Sequence, residues 1–174
     1  LMNRLIKKRA IISKCKLYRY WLCREVLKSE KFKPVVFIML NPSTADGLND
    51  DPTVRRCVSY VKNWECSHLI IVNIFAYRST QPCNLWAVDT KDPIGPLNNG
   101  AIMTALNLAY ENEGIVVAAW GEHGSYMSRG ATVLKSIYKY NPFCLKINKS
   151  GNPAHPLYQR KDAQLIRINE NEPC

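Results

Sequence analysis

The chain contains the stretch FIMLNPSTAD at residues 37–46, where an apolar run stops abruptly at Asn-Pro-Ser-Thr. Six consecutive apolar residues, Val35 to Leu40, bounded by turn formers are typical of a buried strand in a parallel sheet. Proline cannot extend a strand ladder, and it disfavours helical geometry in the residue that precedes it. We therefore expect Asn41 in a stiff turn at the carboxyl end of a core strand, where open α/β sheets bind their ligands.

Apolar runs and helical spacing continue as an alternation of strands and helices along the rest of the chain. The further predicted strands cover 69–75, 115–120 and 143–147, and the predicted helices begin at Asp51-Pro52 and cover 98–111 and about 126–139. Residues 15–27 alternate as an amphipathic strand, although a helix is the alternative there. This order predicts a single α/β domain over residues 1–174, a three-layer α/β/α sandwich with a mainly parallel central sheet.

Positive charge is concentrated at the start of the chain. The whole chain has 24 Lys and Arg against 14 Asp and Glu, a formal net charge of +10. Residues 1–33 hold eleven of these basic residues and only two acidic ones, with aromatic residues between them. Such a segment is the electrostatic footprint of proteins that bind phosphate backbones, so we expect it to flank the core and to contact DNA. The candidate contacts are Lys7, Lys8, Arg9 and Lys14. The alternative is a basic surface that only keeps the protein soluble.

Cysteine usage and hydropathy exclude several classes of protein. The seven cysteines are scattered and contain no Cys-x-x-Cys pair, which argues against a disulfide framework and a cysteine-ligated metal site. The longest apolar runs are about as long as a strand, and the basic N-terminus is not followed by the apolar stretch of a signal peptide. We expect a cytoplasmic monomer with no membrane partner, no metal and no organic cofactor.

Four loops should meet at the carboxyl edge of such a sheet, and they cover 41–51, 73–96, 120–126 and 148–158. An asparagine inside a buried strand is costly without partners, so Asn73 is expected to have a role at this edge. Asp51 is expected to act only as the N-cap of the helix that begins at Pro52. His123 lies between two glycines of its loop and is expected to be solvated. His155 lies between proline-rich turns and is a candidate for function.

Three motifs resemble the family called domain of unknown function 1643, within a resemblance that extends from Tyr18 to Tyr158. They are MLNPSTAD at 39–46, DPIGP at 92–96 and GNPAHPLY at 151–158. This resemblance implies no reaction by itself.

The order of elements is more distantly similar to the uracil-DNA glycosylase superfamily. Leu40-Asn41-Pro42 resembles its Gly-x-Asn-Pro motif, with Met39 in place of the glycine. The strand that ends at Asn73 resembles the segment that reads the flipped base, and residues 116–121 resemble a strand that ends in Trp-Gly. The HPLY stretch at 155–158 resembles the second motif, His-Pro-Ser-Pro-Leu-Ser, and is two residues shorter. The resemblance implies the fold of that superfamily.

The same resemblance implies a DNA glycosylase that flips a base out of the DNA, hydrolyses its N-glycosidic bond and leaves an abasic site. Asn41 would hold the attacking water, and His155 would stabilise the developing oxyanion of the base. Either Asp46 or Asp50 would add base character. The implied base-binding residues are Asn73, Ser43, Pro42 and Tyr77. The implied DNA contacts are Arg78 and an apolar wedge at Leu157 or Tyr158.

A small residue at position 43 distinguishes this chain from classical uracil enzymes, which place a bulky tyrosine shortly after the Asp-Pro of their first motif. Ser43 leaves room at the C5 edge of the base. We therefore expect a modified pyrimidine, such as a hypermodified cytosine of phage DNA, with uracil or a mismatched base as alternatives. The setting would be DNA repair or phage defence. Two other functions stay open: a DNA-binding protein of this fold that has lost hydrolysis, and a hydrolase of free nucleosides or nucleotides.

Overall fold

The computed structural model describes residues 10–87 and 92–169. Within these ranges the chain forms seven strands and three α-helices. The strands are β1 (Ala10–Ile12), β2 (Arg19–Glu25), β3 (Pro34–Met39), β4 (His68–Asn73), β5 (Ile115–Ala118), β6 (Phe143–Cys144) and β7 (Ile166–Arg167). The helices are α1 (Pro52–Asn63), α2 (Asn98–Glu111) and α3 (Arg129–Ile137). The α/β class is confirmed, and the ambiguous segment 15–27 contains a strand rather than a helix.

The strands form one mixed sheet in the order β1-β2-β4-β3-β5-β6-β7. Strands β4, β3, β5 and β6 run parallel in the centre, whereas β1, β2 and β7 pair antiparallel at the two sides. The prediction of a mainly parallel sheet is therefore wrong, because half of the strand pairs are antiparallel. Side-chain alternation reports that β2 is a strand, but it does not report the direction in which that strand runs.

Helices cover both faces of this sheet. Side chains of β3 alternate between them: Val36 and Ile38 pack in the apolar cluster that contains residues of α2 and α3. Val35 and Phe37 pack in the second cluster, with residues of α1. All six residues of β3 are buried, and burying one such side chain contributes about 1.5–3 kcal/mol. The continuous apolar run in the sequence follows from this position, because β3 has no solvent-facing side.

Helix α1 begins at the residue that the sequence predicts. Asp51 is its N-cap, and the Oδ1 atom of Asp51 accepts a hydrogen bond from Val54 N at 2.8 Å. Pro52 occupies the first turn, where its missing N–H has no partner to lose. Such a cap contributes about 1 kcal/mol. Because the loop after β3 leads into α1, the N-terminus of the helix lies at the carboxyl edge of the parallel strands.

Two further segments reach the same edge from distant parts of the sequence. Strand β2 runs antiparallel to β4, so its first residue, Arg19, lies where β4 ends; Arg19 N donates to Ala76 O at 3.0 Å. The segment after β6 returns across α1, where Tyr60 Oη donates to Arg160 O at 2.5 Å. These contacts place the turn at 155–158 beside the N-terminal half of the molecule.

The length and apolar character of a helix decide whether it can span a bilayer. None of the helices within residues 10–87 and 92–169 has the length and apolar character needed for a membrane span.

Candidate functional site

A cavity of about 530 Å³ opens at the carboxyl edge of the parallel strands. All four of the loops predicted to meet there contribute to its wall, together with the first turn of α1. The predicted site residues that line it are Asn41, Ser43, His155, Leu157 and Tyr158. A cavity of this size can hold a single nucleoside-sized molecule.

Asn41 is held at the end of β3 by hydrogen bonds from its own amide. Its Nδ2 atom donates to Ser79 O at 2.9 Å and to Pro42 O at 3.2 Å. Ser79 N donates to Pro42 O at 2.8 Å, which ties the loop after β3 to the loop after β4. Because these bonds use the amide nitrogen, the Oδ1 atom of Asn41 is the atom left to accept a hydrogen bond from a ligand or a water.

His155 offers the opposite character, a hydrogen-bond donor. Its Nδ1 atom accepts a hydrogen bond from Leu157 N at 3.4 Å, so the neutral ring carries its proton on Nε2. Burial lowers the pKa of His155 below its usual value, and the negative charge of Asp51 opposes that shift. The ring is therefore neutral near pH 7. Tyr158 packs against it with ring centroids 5.6 Å apart.

The two carboxylates that were predicted to act as bases are engaged away from the cavity. Asp46 accepts hydrogen bonds from two backbone N–H groups of its own loop, both at 2.8 Å. These bonds lower the pKa of Asp46. Asp50 forms an ion pair with Arg24 at 2.7 Å. Neither carboxylate lines the cavity, so the structure does not bring them together with Asn41 and His155.

Asp51 is the carboxylate that takes their place. It lines the cavity while capping α1. Its charge raises the pKa of both Arg19 and His155 against the opposing effect of burial, which places it within electrostatic range of both. The sequence predicts the capping role of Asp51 correctly, but a cap alone does not reveal that the same side chain borders a cavity.

The predicted base-binding residues divide into one that lines the cavity and three that do not. Asn73 is 1% exposed and lies in register beside Met39, which does line the cavity. Neither side-chain polar atom of Asn73 has a hydrogen-bond partner among the described residues. Tyr77 packs against the apolar cluster that contains residues of α2 and α3, and Pro42 is buried outside the cavity wall. Of the four, Ser43 is the cavity residue.

The loop after β5 forms one wall and is built around Trp120. The indole Nε1 of Trp120 donates to Asn152 Oδ1 at 3.3 Å. Two glycines pack directly on this ring: a Cβ at Gly124 would lie 2.0 Å from Cδ1, and a Cβ at Gly130 would lie 2.8 Å from Nε1. Gly121 has a φ of +76°, which favours glycine. The loop can close on Trp120 only because these positions lack side chains.

Arg19 lines the cavity, and the sequence singled it out only as one of the basic residues of the segment 1–33. It is 2% exposed, lines the cavity, and its Nη1 atom donates to Ala45 O at 2.8 Å. Burial lowers the pKa of Arg19 to about 10, with Asp51 opposing the shift, so the guanidinium is positively charged at neutral pH. The available sequence signal was its position at the start of the apolar run at 20–23, a signal that Arg24 at the other end of the run shares.

Other basic residues lie at the same edge of the sheet as the cavity, although they do not line it. Lys14 and Lys16 are exposed in the hairpin between β1 and β2. Arg78 attaches this hairpin to the loop after β4, because its Nη1 donates to Lys16 O at 3.2 Å and its N donates to Leu17 O at 2.8 Å. The remaining predicted contacts lie outside the described residues: Lys7, Lys8 and Arg9.

Exposed aromatic rings stand on two sides of the mouth. Tyr158 is 80% exposed, whereas Leu157, the other candidate for a wedge, is half-buried. On the other side, Trp86 is 41% exposed and packs on His123, which lines the cavity, with ring centroids 5.4 Å apart. Nucleic-acid bases stack on exposed rings of this kind.

The model of a protein family matches residues 19–157, which is most of the chain. The family is described as Protein of unknown function (DUF1643). The chain belongs to this family. The matched range includes Arg19, Asn41, Asp51 and His155, so the family region contains the polar residues that build the cavity. No curated protein and no solved structure matches the chain. The predicted membership of this family is confirmed, and the relationship to uracil-DNA glycosylases stays a prediction.

The chemistry of the cavity follows from four groups. Asn41 supplies an acceptor, His155 a neutral donor, Asp51 a carboxylate and Arg19 a buried cation. No group of three or more His, Cys, Asp or Glu side chains that could hold a metal ion occurs in residues 10–87 and 92–169. Together the four groups offer an acceptor, a donor and both signs of charge to a polar ligand.

Proposed function

We propose that the protein is a DNA glycosylase that hydrolyses the N-glycosidic bond of a flipped pyrimidine and leaves an abasic site. The observation that carries this proposal is the meeting of Asn41 and His155 in one cavity at the carboxyl edge of the sheet. The resemblance of their motifs to those of the uracil-DNA glycosylase superfamily supports the same reaction and a related fold.

Hydrolysis forms a bond between a water oxygen and the sugar C1′ and breaks the bond between C1′ and the base. Asn41 Oδ1 accepts a hydrogen bond from the attacking water and orients it toward C1′. An amide is a poor base, so Asn41 acts by positioning. Asp51 takes the proton that the water releases, and its negative charge stabilises the positive charge that develops on the sugar.

The base leaves with the bonding electrons and becomes an anion, which then takes a proton from solvent. His155 Nε2–H donates to the base oxygen on which this negative charge develops. A single preorganised donor of this kind contributes about 10²–10³ in rate. The neutral ring is suited to the task, because its proton is fixed on Nε2 by the bond between Nδ1 and Leu157 N.

Access to the cavity requires the base to leave the stack, which costs a few kcal/mol. Tyr158 fills the gap in the stack, and Lys14, Lys16 and Arg78 contact phosphates around the mouth. Ser43, a small residue in the wall, leaves room at the C5 edge of the base. The preferred substrate is therefore a C5-modified pyrimidine, in DNA repair or in defence against phages whose DNA contains such bases.

A base-release assay tests this proposal. The protein is incubated with DNA that contains uracil, a mismatched base or a C5-modified cytosine, and abasic sites are then detected by alkaline cleavage. We expect cleavage with the wild-type protein and a loss of about 10²-fold or more in rate for His155→Ala. Asn41→Ala should also lose activity, because the attacking water loses its orientation.

Gln164→Ala is the control variant, since Gln164 is exposed after the same turn and lies outside the cavity wall. If no DNA yields abasic sites while DNA binding is intact, the protein is a binding module of this family. If monomeric nucleosides are cleaved and DNA is not, the substrate is a free nucleoside or nucleotide. Either result would overturn the proposed function.

A further inference from the structure

A positive charge is buried in the wall of the cavity, and no counter-ion among residues 10–87 and 92–169 is in direct contact with it. Arg19 is 2% exposed, and the ion pairs among the described residues do not include it. Burying a cation is costly unless it is paired and fully hydrogen-bonded. The buried guanidinium of Arg19 therefore calls for a negatively charged partner, which a ligand in the cavity can supply.

The guanidinium of Arg19 also has unused donors. Its Nη1 atom donates to Ala45 O, whereas its buried Nε atom has no partner among the described residues. A guanidinium presents its N–H groups as a planar fork that matches the two oxygens of a carboxylate or phosphate. The side chain that lines the cavity is therefore prepared for an oxyanion.

The surroundings of Arg19 favour negative charge as well. Thr53 and Val54, in the first turn of α1, line the same cavity, and the N-terminal end of a helix attracts anions. Arg78 contributes further positive charge near Arg19. Asp51 is the opposing group in the wall, but it forms no ion pair with Arg19 and its Oδ1 atom is used by Val54 N.

We propose that Arg19 is an oxyanion-binding residue and that the ligand of the cavity has a carboxylate or phosphate group that binds to its guanidinium. This inference goes beyond the proposed reaction, because it concerns what the ligand contains rather than which bond breaks. The oxyanion has two sources, a carboxylate on the base ring and the phosphate of a nucleotide.

Binding of matched ligand pairs to the full chain tests the inference and separates the two sources. Calorimetric titration at constant ionic strength compares thymidine with thymidine 5′-monophosphate, and uracil with 5-carboxyuracil. We expect the charged member of one pair to bind about 10–100-fold more tightly than its neutral partner. Preference in the first pair identifies a phosphate, and preference in the second identifies a ring carboxylate. Equal binding of the charged and neutral members in both pairs overturns the inference.

Variants then assign the preference to the residue. Arg19→Gln should reduce the preference for the charged ligand to less than about threefold, while the affinity for the neutral ligand is unchanged. If this variant retains the full preference, Arg19 does not bind the oxyanion. Because Arg19 also holds Ala45 O, a second variant avoids the loss of that contact. Asp51→Asn keeps a good helix cap and removes the opposing charge, so it should tighten binding of the charged ligand only. Unchanged or weaker binding of that ligand by Asp51→Asn counts against the inference. These measurements detect binding, so they are independent of whether base release occurs.

Discussion

Asn73 places two hydrogen-bonding atoms inside the protein, and neither has a partner among the described residues. Replacing such a group by an apolar side chain of the same branching removes its desolvation cost. Asn73→Leu should therefore raise the free energy of unfolding by about 1–3 kcal/mol. Equilibrium unfolding in urea measures this change.

Asn98→Leu is the matched control for that substitution. Asn98 is equally buried, but its Nδ2 atom donates to Asn73 O at 2.9 Å and to Ile74 O at 3.1 Å. Its replacement should lower the free energy of unfolding, because those carbonyls lose a donor. If Asn73→Leu also lowers it, the amide of Asn73 has a partner in solution, and its role is structural rather than a polarity kept for a ligand.

Individual residues show how much of the site could be predicted. The sequence indicated Asn41 and His155, because turn chemistry and motif resemblance are properties of a short stretch of sequence. The choice among Asp46, Asp50 and Asp51 could not be predicted, since these acids lie within one short loop and their directions depend on contacts such as the ion pair of Asp50 with Arg24. The burial of Arg19 depends on pairing between distant strands, so local composition does not reveal it.

The loop after β5 depends on the absence of side chains around Trp120. Gly124→Ala would place a Cβ 2.0 Å from the indole Cδ1 of Trp120. We expect a loss of about 1–3 kcal/mol in the free energy of unfolding, as for other overpacked sites. The melting temperature should fall, and the fluorescence of Trp120 should change as the ring moves.

Gly100→Ala is the comparison for the Gly124→Ala substitution. Gly100 lies in the first turn of α2, and a Cβ there would meet nothing within 4 Å. Alanine is the better helix former, so this variant should be more stable than the wild type by up to about 1 kcal/mol. Equal stability of the two variants would show that the loop rearranges freely around Trp120.

The elements themselves were largely predictable, whereas their arrangement was not. The apolar run 35–40 and the spacing in 98–111 correspond to β3 and α2 because hydrophobic periodicity is a local property. The directions of β1, β2 and β7 are set by pairing with strands elsewhere in the chain, and alternation is the same for a strand of either direction. The mixed sheet is therefore a tertiary feature.

The distribution of charge over the whole molecule predicts how the proposed DNA binding should respond to salt. Lys14 and Lys16 lie at the edge with the cavity, so replacing both by Gln should flatten the plot of log K against log salt. Each lost phosphate contact on duplex DNA changes that slope by about 0.9. Fluorescence anisotropy with a labelled duplex measures the slope.

The matched variant replaces Lys28 and Lys31 by Gln. Both residues are exposed at the opposite edge of the sheet, where Lys31 pairs with Glu113. The change in net charge is identical, so a slope that differs only for the Lys14 and Lys16 variant locates the DNA at the cavity. Equal changes in the two variants would indicate a non-specific effect of total charge.

Cavity-lining residues come from positions as far apart as Arg19 and Gln159. During synthesis, β2, β3, α1 and β4 leave the ribosome long before the turn at 155–158, so the nascent chain has an incomplete pocket until nearly all of this region has emerged. A protease that cuts after β6 would likewise separate His155 and its neighbours from the rest of the cavity wall. The proposed base release should consequently begin only after the turn at 155–158 has left the ribosome, and it should vanish early in limited digestion.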